Sequence, residues 1–170
     1  MRLPIRSSRG WAGAALAVLA LVVAVAAVAG GPASAVSEVV AGKFDTRVVI
    51  GGEDCDAPSG ICAIGTTTGN LKGSFTLRVA EVIPTNDSPL TGVLLFTGDG
   101  TVETKEGTLR CKNTGALQTT GAGILTSLCV VTGDGTGAWA GASGHFQVDG
   151  AVDLPAARAT GSYSGNIFRQ

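Results

Sequence analysis

The chain has 170 residues, of which twelve are basic and thirteen acidic, and its formal net charge is −1 at pH 7. Nine of the basic residues and all of the acidic residues follow residue 35, so that part of the chain carries a net charge of −4. The basic residues there are scattered singly, without the stripe that phosphate binding needs, which argues against nucleic acid as a partner.

The first 35 residues have the organisation of a secretory signal peptide. Three arginines lie within the first nine residues, and an apolar run rich in alanine, valine and leucine extends over 11–29. Small residues at 33–35 predict cleavage after Ala35, which leaves one exported domain at 36–170 with no further membrane segment. An uncleaved anchor is the alternative, because the apolar run is nearly long enough to span a bilayer.

All four cysteines lie in the predicted exported domain, and disulfides persist in extracellular compartments. Four cysteines allow three pairings. We favour Cys55 with Cys62, which closes a short loop, and Cys111 with Cys129, which a hairpin would place opposite each other. A zinc site is disfavoured because Cys-x6-Cys is not a zinc spacing and the chain has a single histidine. We predict neither a metal nor a cofactor.

Short runs of alternating apolar and polar residues predict strands after residue 35. These runs lie at 42–50, 63–68, 73–83, 90–97, 101–106, 108–113, 125–131, 144–152 and 159–168. Gly98-Asp99-Gly100 predicts a tight hairpin, since Asp-Gly tolerates the positive φ angles of such turns. No amphipathic helix is visible, so the sequence predicts an all-β fold. The number and spacing of these runs argue for a β-barrel or a β-sandwich.

A glycine-rich stretch at 132–144 lies between two of the predicted strands. It contains Gly133, Gly135, Gly137, Gly141 and Gly144. Glycine permits sharp reversals and close backbone approach, and Trp139 is the one large apolar side chain in the stretch. We predict a structural corner that Trp139 packs, not a catalytic loop.

The last third of the chain carries a family likeness. The runs Gly-Asp-Gly-Thr-Gly-Ala-Trp-Ala-Gly-Ala-Ser-Gly-His-Phe at 133–146 and Thr-Gly-Ser-Tyr-Ser-Gly-Asn-Ile at 160–167 resemble the close of bacterial secreted proteins related to allene oxide cyclase and dirigent barrels. The resemblance implies an eight-stranded antiparallel β-barrel with an apolar cavity, often trimeric in the plant members. We therefore favour an antiparallel β-barrel of about eight strands, with a β-sandwich as the alternative. The resemblance also implies that any enzymatic activity steers the cyclisation, isomerisation or coupling of a reactive small molecule without a cofactor.

Two side chains are candidates for catalysis inside such a barrel. Phe75, Leu77 and Val79 share one strand face and are the candidate ligand-binding residues, and continuing their parity puts Glu81 on the same face. An inward Glu81 would serve as a general acid, whereas a nearby proline that ends the strand favours a solvated carboxylate at the rim. Tyr163 is a candidate hydrogen-bond donor to a ligand, or a core residue with its hydroxyl at the edge.

The single histidine, His145, would have to serve any Ser-His-Asp arrangement. No nucleophile-elbow pattern names a serine, so we interpret His145 as a surface residue. The sequence therefore favours a secreted barrel that binds an apolar small molecule. A non-enzymatic extracellular or envelope interaction protein with a solid core is the alternative, and a secreted hydrolase is a third, weaker one.

Overall fold

The computed structural model of the chain describes residues 35–85, 92–120 and 123–170. The predicted signal peptide lies outside this part of the chain. The described residues form strands, turns and two short 3-10 turns, at Gly69–Leu71 and Gly137–Trp139. None of the helices in this part of the chain is long and apolar enough to cross a membrane.

Eight strands form one closed antiparallel barrel, in which each strand pairs with the next and the first pairs with the last. They are β1 (Val36–Ile50), β2 (Ile61–Thr67), β3 (Gly73–Pro84), β4 (Val93–Thr104), β5 (Gly107–Gln118), β6 (Ile124–Val131), β7 (Ser143–Asp153) and β8 (Arg158–Arg169). The predicted antiparallel barrel is confirmed, and the sandwich is excluded because β1 and β8 close the sheet.

The predicted hairpin at Gly98-Asp99-Gly100 is wrong, because β4 runs unbroken through these three residues. Gly98 and Gly100 are buried, and a Cβ atom at Gly100 would lie 2.7 Å from the Sγ atom of Cys111. The glycine therefore makes room for a neighbouring side chain inside the barrel. The turn between β4 and β5 lies at 105–106 instead, where Thr104 pairs with Gly107.

Both predicted disulfides are present, with Cα–Cα distances of 5.7 Å for Cys55–Cys62 and 5.6 Å for Cys111–Cys129. Cys111 lies opposite Val131 in the ladder between β5 and β6. The bridge to Cys129 is therefore diagonal, not between directly opposed residues as predicted. Two disulfides in one small domain are typical of oxidising compartments.

Two plugs close one end of the barrel. Leu71 and Trp139 belong to the two 3-10 turns, and each is only 1% exposed. The indole N–H of Trp139 donates to Oγ1 of Thr104 over 3.0 Å. Because an indole N–H must find an acceptor when it is buried, this bond holds the ring in place. We call this end the closed end.

The glycine-rich stretch at 132–144 connects β6 to β7 across the closed end. Gly133, Gly137, Gly141 and Gly144 all have positive φ angles. At Gly137 the φ angle is +61°, and a Cβ atom would lie 2.2 Å from the carbonyl oxygen of Glu106. Gly135 is needed for space alone, since a Cβ there would lie 2.5 Å from the carbonyl oxygen of Thr108. The backbone can therefore fold tightly around Trp139 only with glycine at such positions.

Candidate ligand-binding chamber

The opposite end of the barrel opens into an apolar mouth of about 250 Å³. All eight strands contribute to its wall, which includes Val48, Val79, Val82, Leu94, Leu117 and Val152. At its rim Ile50 is 80% exposed and Leu154 50% exposed. Within residues 35–85, 92–120 and 123–170, this end has no counterpart to the two plugs of the closed end.

A smaller inner chamber of about 50 Å³ lies deeper in the barrel, between the mouth and the closed end. Four of the five phenylalanines of the chain line it: Phe44, Phe75, Phe96 and Phe146. Ala63, Leu77, Phe96, Leu125 and Ala159 line both the inner chamber and the mouth. The two cavities therefore share a wall, and a molecule that enters the mouth faces the inner chamber.

Glycines on the inner face of the barrel make room for these aromatic rings. A Cβ atom at Gly115 would lie 2.5 Å from Cζ of Phe96, and one at Gly161 would lie 2.7 Å from Cε1 of Phe44. Such distances are too short for van der Waals contact, so a side chain at either position would displace a ring. The high glycine content thus reflects interior packing as well as turns.

Among the described residues, four polar side chains are buried inside the barrel wall: Thr46, Thr67, Asn113 and Ser127. The Thr46 hydroxyl donates to the carbonyl oxygen of Ala159 over 3.2 Å, and the Thr67 hydroxyl donates to the carbonyl oxygen of Leu71. Asn113 is only 3% exposed, and its Oδ1 atom has no hydrogen-bond partner. Its side chain lines the inner chamber.

Sequence reasoning did not select Asn113 as a site residue. The signal was its parity, since Leu109, Cys111 and Asn113 fall on one face of the predicted strand. A polar residue in an apolar inward series marks a buried polar group, but the pattern does not show whether a neighbouring strand satisfies it. In the barrel, Cys129 lies opposite Asn113 and leaves its amide oxygen unpaired.

The three candidate ligand-binding residues of β3 all line the cavities. Phe75 borders the inner chamber, Val79 borders the mouth, and Leu77 borders both. They follow the inward parity of the strand, as a half-buried strand requires.

The prediction that Glu81 points into the barrel is wrong, because Glu81 is exposed on the outer face. A β-bulge between Val79 and Glu81 adds one residue to β3, so Glu81 lies opposite Thr97 and Val82 lies opposite Phe96. One extra residue reverses which side chains face inward. Glu81 therefore makes no contact with a molecule inside the barrel.

Tyr163 is buried inside the barrel, and its hydroxyl is engaged with the backbone of the closed end. The hydroxyl oxygen accepts from the Leu71 N–H over 2.9 Å and donates to the Thr68 carbonyl over 2.6 Å. Burial raises the pKa of Tyr163 above its ordinary value of 10.0, so the hydroxyl keeps its proton at neutral pH. The proton of this hydroxyl is thus committed to the Thr68 carbonyl.

The remaining polar candidates do not gather around the cavities. His145 is exposed on the outer face of β7, where it lies opposite Val130 of β6. In the part of the chain that the structure describes, no three histidine, cysteine, aspartate or glutamate side chains are placed to hold a metal ion. The inner wall offers neutral groups only, because neither cavity is lined by a described charged residue.

Comparison with known proteins gave no match among family models, curated proteins or solved structures. The likeness of its last third to allene oxide cyclase and dirigent barrels, and the trimer that this likeness implies, stay predictions.

Proposed function

We propose that this protein is a secreted β-barrel that binds an apolar small molecule through the open end. The observation that carries the proposal is the apolar mouth, whose wall is built from inward side chains of all eight strands. Eight-stranded barrels have an interior that either fills with side chains or holds one small ligand. Among the described residues, side chains fill the closed end of this barrel. At the mouth, Ile50 and Leu154 are instead exposed at the rim.

The energetics favour an apolar occupant. Burying apolar surface contributes roughly 25 cal/mol for each Å² removed from water. A ligand in the mouth would remove its own surface and that of the lining side chains from water, without having to desolvate a charged group. A polar or ionic ligand would lose its hydration in the same place and gain no partner.

Two observations support an extracellular location. The N-terminal residues have the basic, apolar and small-residue order of a signal peptide. The domain that follows contains two disulfides and no free cysteine, which suits an oxidising compartment.

We extend the proposal to a steering role, in which the chamber confines a reactive molecule while it cyclises or isomerises without a cofactor. The resemblance of the last third of the chain supports this role. Glu81 lies outside the barrel and the Tyr163 hydroxyl is occupied, so Asn113 and Ser127 are the polar groups left to orient such a molecule. An allene oxide that cyclises spontaneously to a racemate should yield an enantiomeric excess with the protein present. A racemic product would contradict steering and leave binding unaffected.

The binding proposal is tested with N-phenyl-1-naphthylamine, an uncharged apolar dye that fluoresces when it leaves water. Leu94 and Leu95 are neighbours in β4, but Leu94 lines the mouth and Leu95 is 43% exposed on the outer face. We expect the wild-type barrel to bind the dye and Leu94→Gln to weaken binding about tenfold, because the variant places an amide in the apolar wall. Leu95→Gln is the matched control and should leave the affinity unchanged.

Absence of dye binding to the wild-type protein would contradict the proposal and favour an interaction protein with a solid core. Equal losses in the two variants would show that the dye binds the outer surface instead. Unfolding curves of both variants, measured without dye, establish that each barrel is folded.

A further inference from the structure

We propose that the ligand of this barrel has an apolar body and one uncharged hydrogen-bonding head, such as a hydroxyl, and that it enters head first so that the head reaches Asn113. This inference rests on the proposed binding function and specifies the class of ligand.

The amide oxygen of Asn113 is buried in the inner chamber without a hydrogen-bond partner. A buried polar atom without a partner costs free energy that a leucine at the same place would not, so native proteins rarely retain one. Thr46 and Thr67, which line the same chamber, both donate to backbone carbonyls. Among the side chains that the structure describes, the Oδ1 atom of Asn113 is the fully buried polar atom without a hydrogen-bond partner. A ligand head that donates a proton would satisfy it.

Ser127 extends this polar spot on the same wall. Asn113 lies opposite Cys129 in the ladder between β5 and β6, and Ser127 is two residues before Cys129, on the same inward face. The two side chains are therefore diagonal neighbours, and both line the inner chamber. An amide and a hydroxyl together offer donors and acceptors, which suits a hydroxyl or carbonyl head.

The head must be uncharged. Of the side chains described in the structure, none that lines the mouth or the inner chamber carries a charge. An ionised head would be buried without a counter-ion, which costs far more than one hydrogen bond returns. This separates the expected ligand from a fatty acid or an amine of the same size.

The dimensions of the two cavities give the direction of entry. The inner chamber, at about 50 Å³, has about a fifth of the volume of the mouth, at about 250 Å³. The smaller space therefore suits a head and the larger one a body. Because the closed end is sealed by Leu71 and Trp139, the head must pass through the mouth first.

The test compares 2-naphthol with 2-methylnaphthalene, which have the same shape and differ by a hydroxyl in place of a methyl group. We expect the ratio of the two affinities to favour 2-naphthol about five to ten times more in the wild-type protein than in Asn113→Leu, the difference that one hydrogen bond to an otherwise unsatisfied group makes. Asn113→Leu should remove this preference while it still binds 2-methylnaphthalene. Asn113→Ala removes the amide without added bulk and serves the same purpose if the leucine variant does not fold.

Thr46→Val is the matched control, because the Thr46 hydroxyl lines the same chamber but already donates to the backbone. It should keep the preference for 2-naphthol. The same ratio of affinities in the wild-type protein and in Asn113→Leu would overturn the inference and leave apolar binding intact. Loss of the preference in Thr46→Val to the same extent as in Asn113→Leu would also overturn it. If neither probe binds the wild-type protein, the proposed function fails together with the inference.

Discussion

At the scale of single residues, Tyr163 joins the last strand to the closed end of the barrel. Its ring packs edge-on against Phe146, with centroids 5.8 Å apart and planes inclined by 63°. Its hydroxyl accepts a hydrogen bond from the Leu71 N–H and donates one to the Thr68 carbonyl. One side chain therefore satisfies a backbone group at each end of the 3-10 turn. The tyrosine thus positions the plug that closes the barrel.

Replacing Tyr163 with phenylalanine should lower the free energy of unfolding by about 1–3 kcal/mol, because the Leu71 N–H would remain buried without its acceptor. Urea unfolding at pH 7 measures the change. A loss below a few tenths of a kcal/mol would show that water replaces the hydroxyl and that the plug does not depend on it.

The same residue predicts a pH dependence. Burial raises the pKa of Tyr163 above 10.0, so as pH rises past that value the unfolded chain releases the tyrosine proton before the folded barrel does. The stability that Tyr163 contributes is therefore complete below pH 10 and decreases above it. Subtracting the unfolding free energy of Tyr163→Phe from that of the wild-type protein should give a smaller difference at pH 11 than at pH 7. A difference independent of pH would contradict this assignment.

At the scale of elements, identical residues adopt different structures in two places. Thr-Gly-Asp-Gly-Thr at 97–101 lies within β4, whereas the same five residues at 132–136 form the loop that follows β6. Gly100 is paired with Cys111 of β5 in the strand ladder, and the Sγ atoms of Cys111 and Cys129 leave no room there for a Cβ atom. Gly133 has a φ angle of +80°, which a strand does not allow. The surroundings of a segment thus decide between strand and turn when its own residues permit both.

The two disulfides should contribute unequally to the stability of the barrel. They span sequence separations of 18 residues for Cys111–Cys129 and 7 residues for Cys55–Cys62. In the chain-entropy model the longer loop gives about 3 kcal/mol and the shorter about 2 kcal/mol. We expect guanidinium unfolding of the double alanine variants to show the larger loss for Cys111 and Cys129. A larger loss for Cys55 and Cys62 would indicate that the packing of these cysteines against Val49 and Ile64 contributes more to stability than chain entropy does.

At the scale of the whole molecule, closure depends on the seam between β1 and β8. The ladder runs from Val36 opposite Arg169 to Arg47 opposite Arg158. At its closed end the Arg169 guanidinium forms ion pairs with Glu38 and Glu106 and lies 4.5 Å from the centroid of the Trp139 ring. One side chain therefore connects the seam, the turn between β4 and β5, and the plug.

Replacing Arg169 with alanine should lower the free energy of unfolding by about 1–2 kcal/mol, since the variant loses the cation–π contact and the packing of the arginine stem on Trp139. Arg158→Ala is the matched control at the other end of the same strand, where the ion pair with Asp45 is solvent-exposed and should contribute nothing measurable. Thermal unfolding of both variants measures the difference. Equal effects would show that the position of Arg169 at the seam has no special role.

Much of the architecture was predictable from local patterns. Alternation along the chain, turn residues and the absence of helical periodicity predicted an all-β barrel or sandwich. The likeness of the last third of the chain favoured an antiparallel barrel of about eight strands, which the structure confirms. Spacing and shared parity predicted both disulfides. The same parity identified Phe75, Leu77 and Val79 as residues of the inner face. These features depend on a residue and its near neighbours, so a single sequence contains the information.

Only the tertiary structure decided which polar groups the interior presents. Parity placed Glu81 inside, but the bulge that turns it outward arises from the pairing of β3 with β4. Asn113 has an inward parity in the sequence, yet its unpaired state depends on Cys129 across the ladder. The sequence by itself determined the all-β fold and its covalent links, because these follow from local periodicity and spacing. The closure of the sheet, the open mouth and the polar groups of the inner chamber depend on what distant strands place opposite each other.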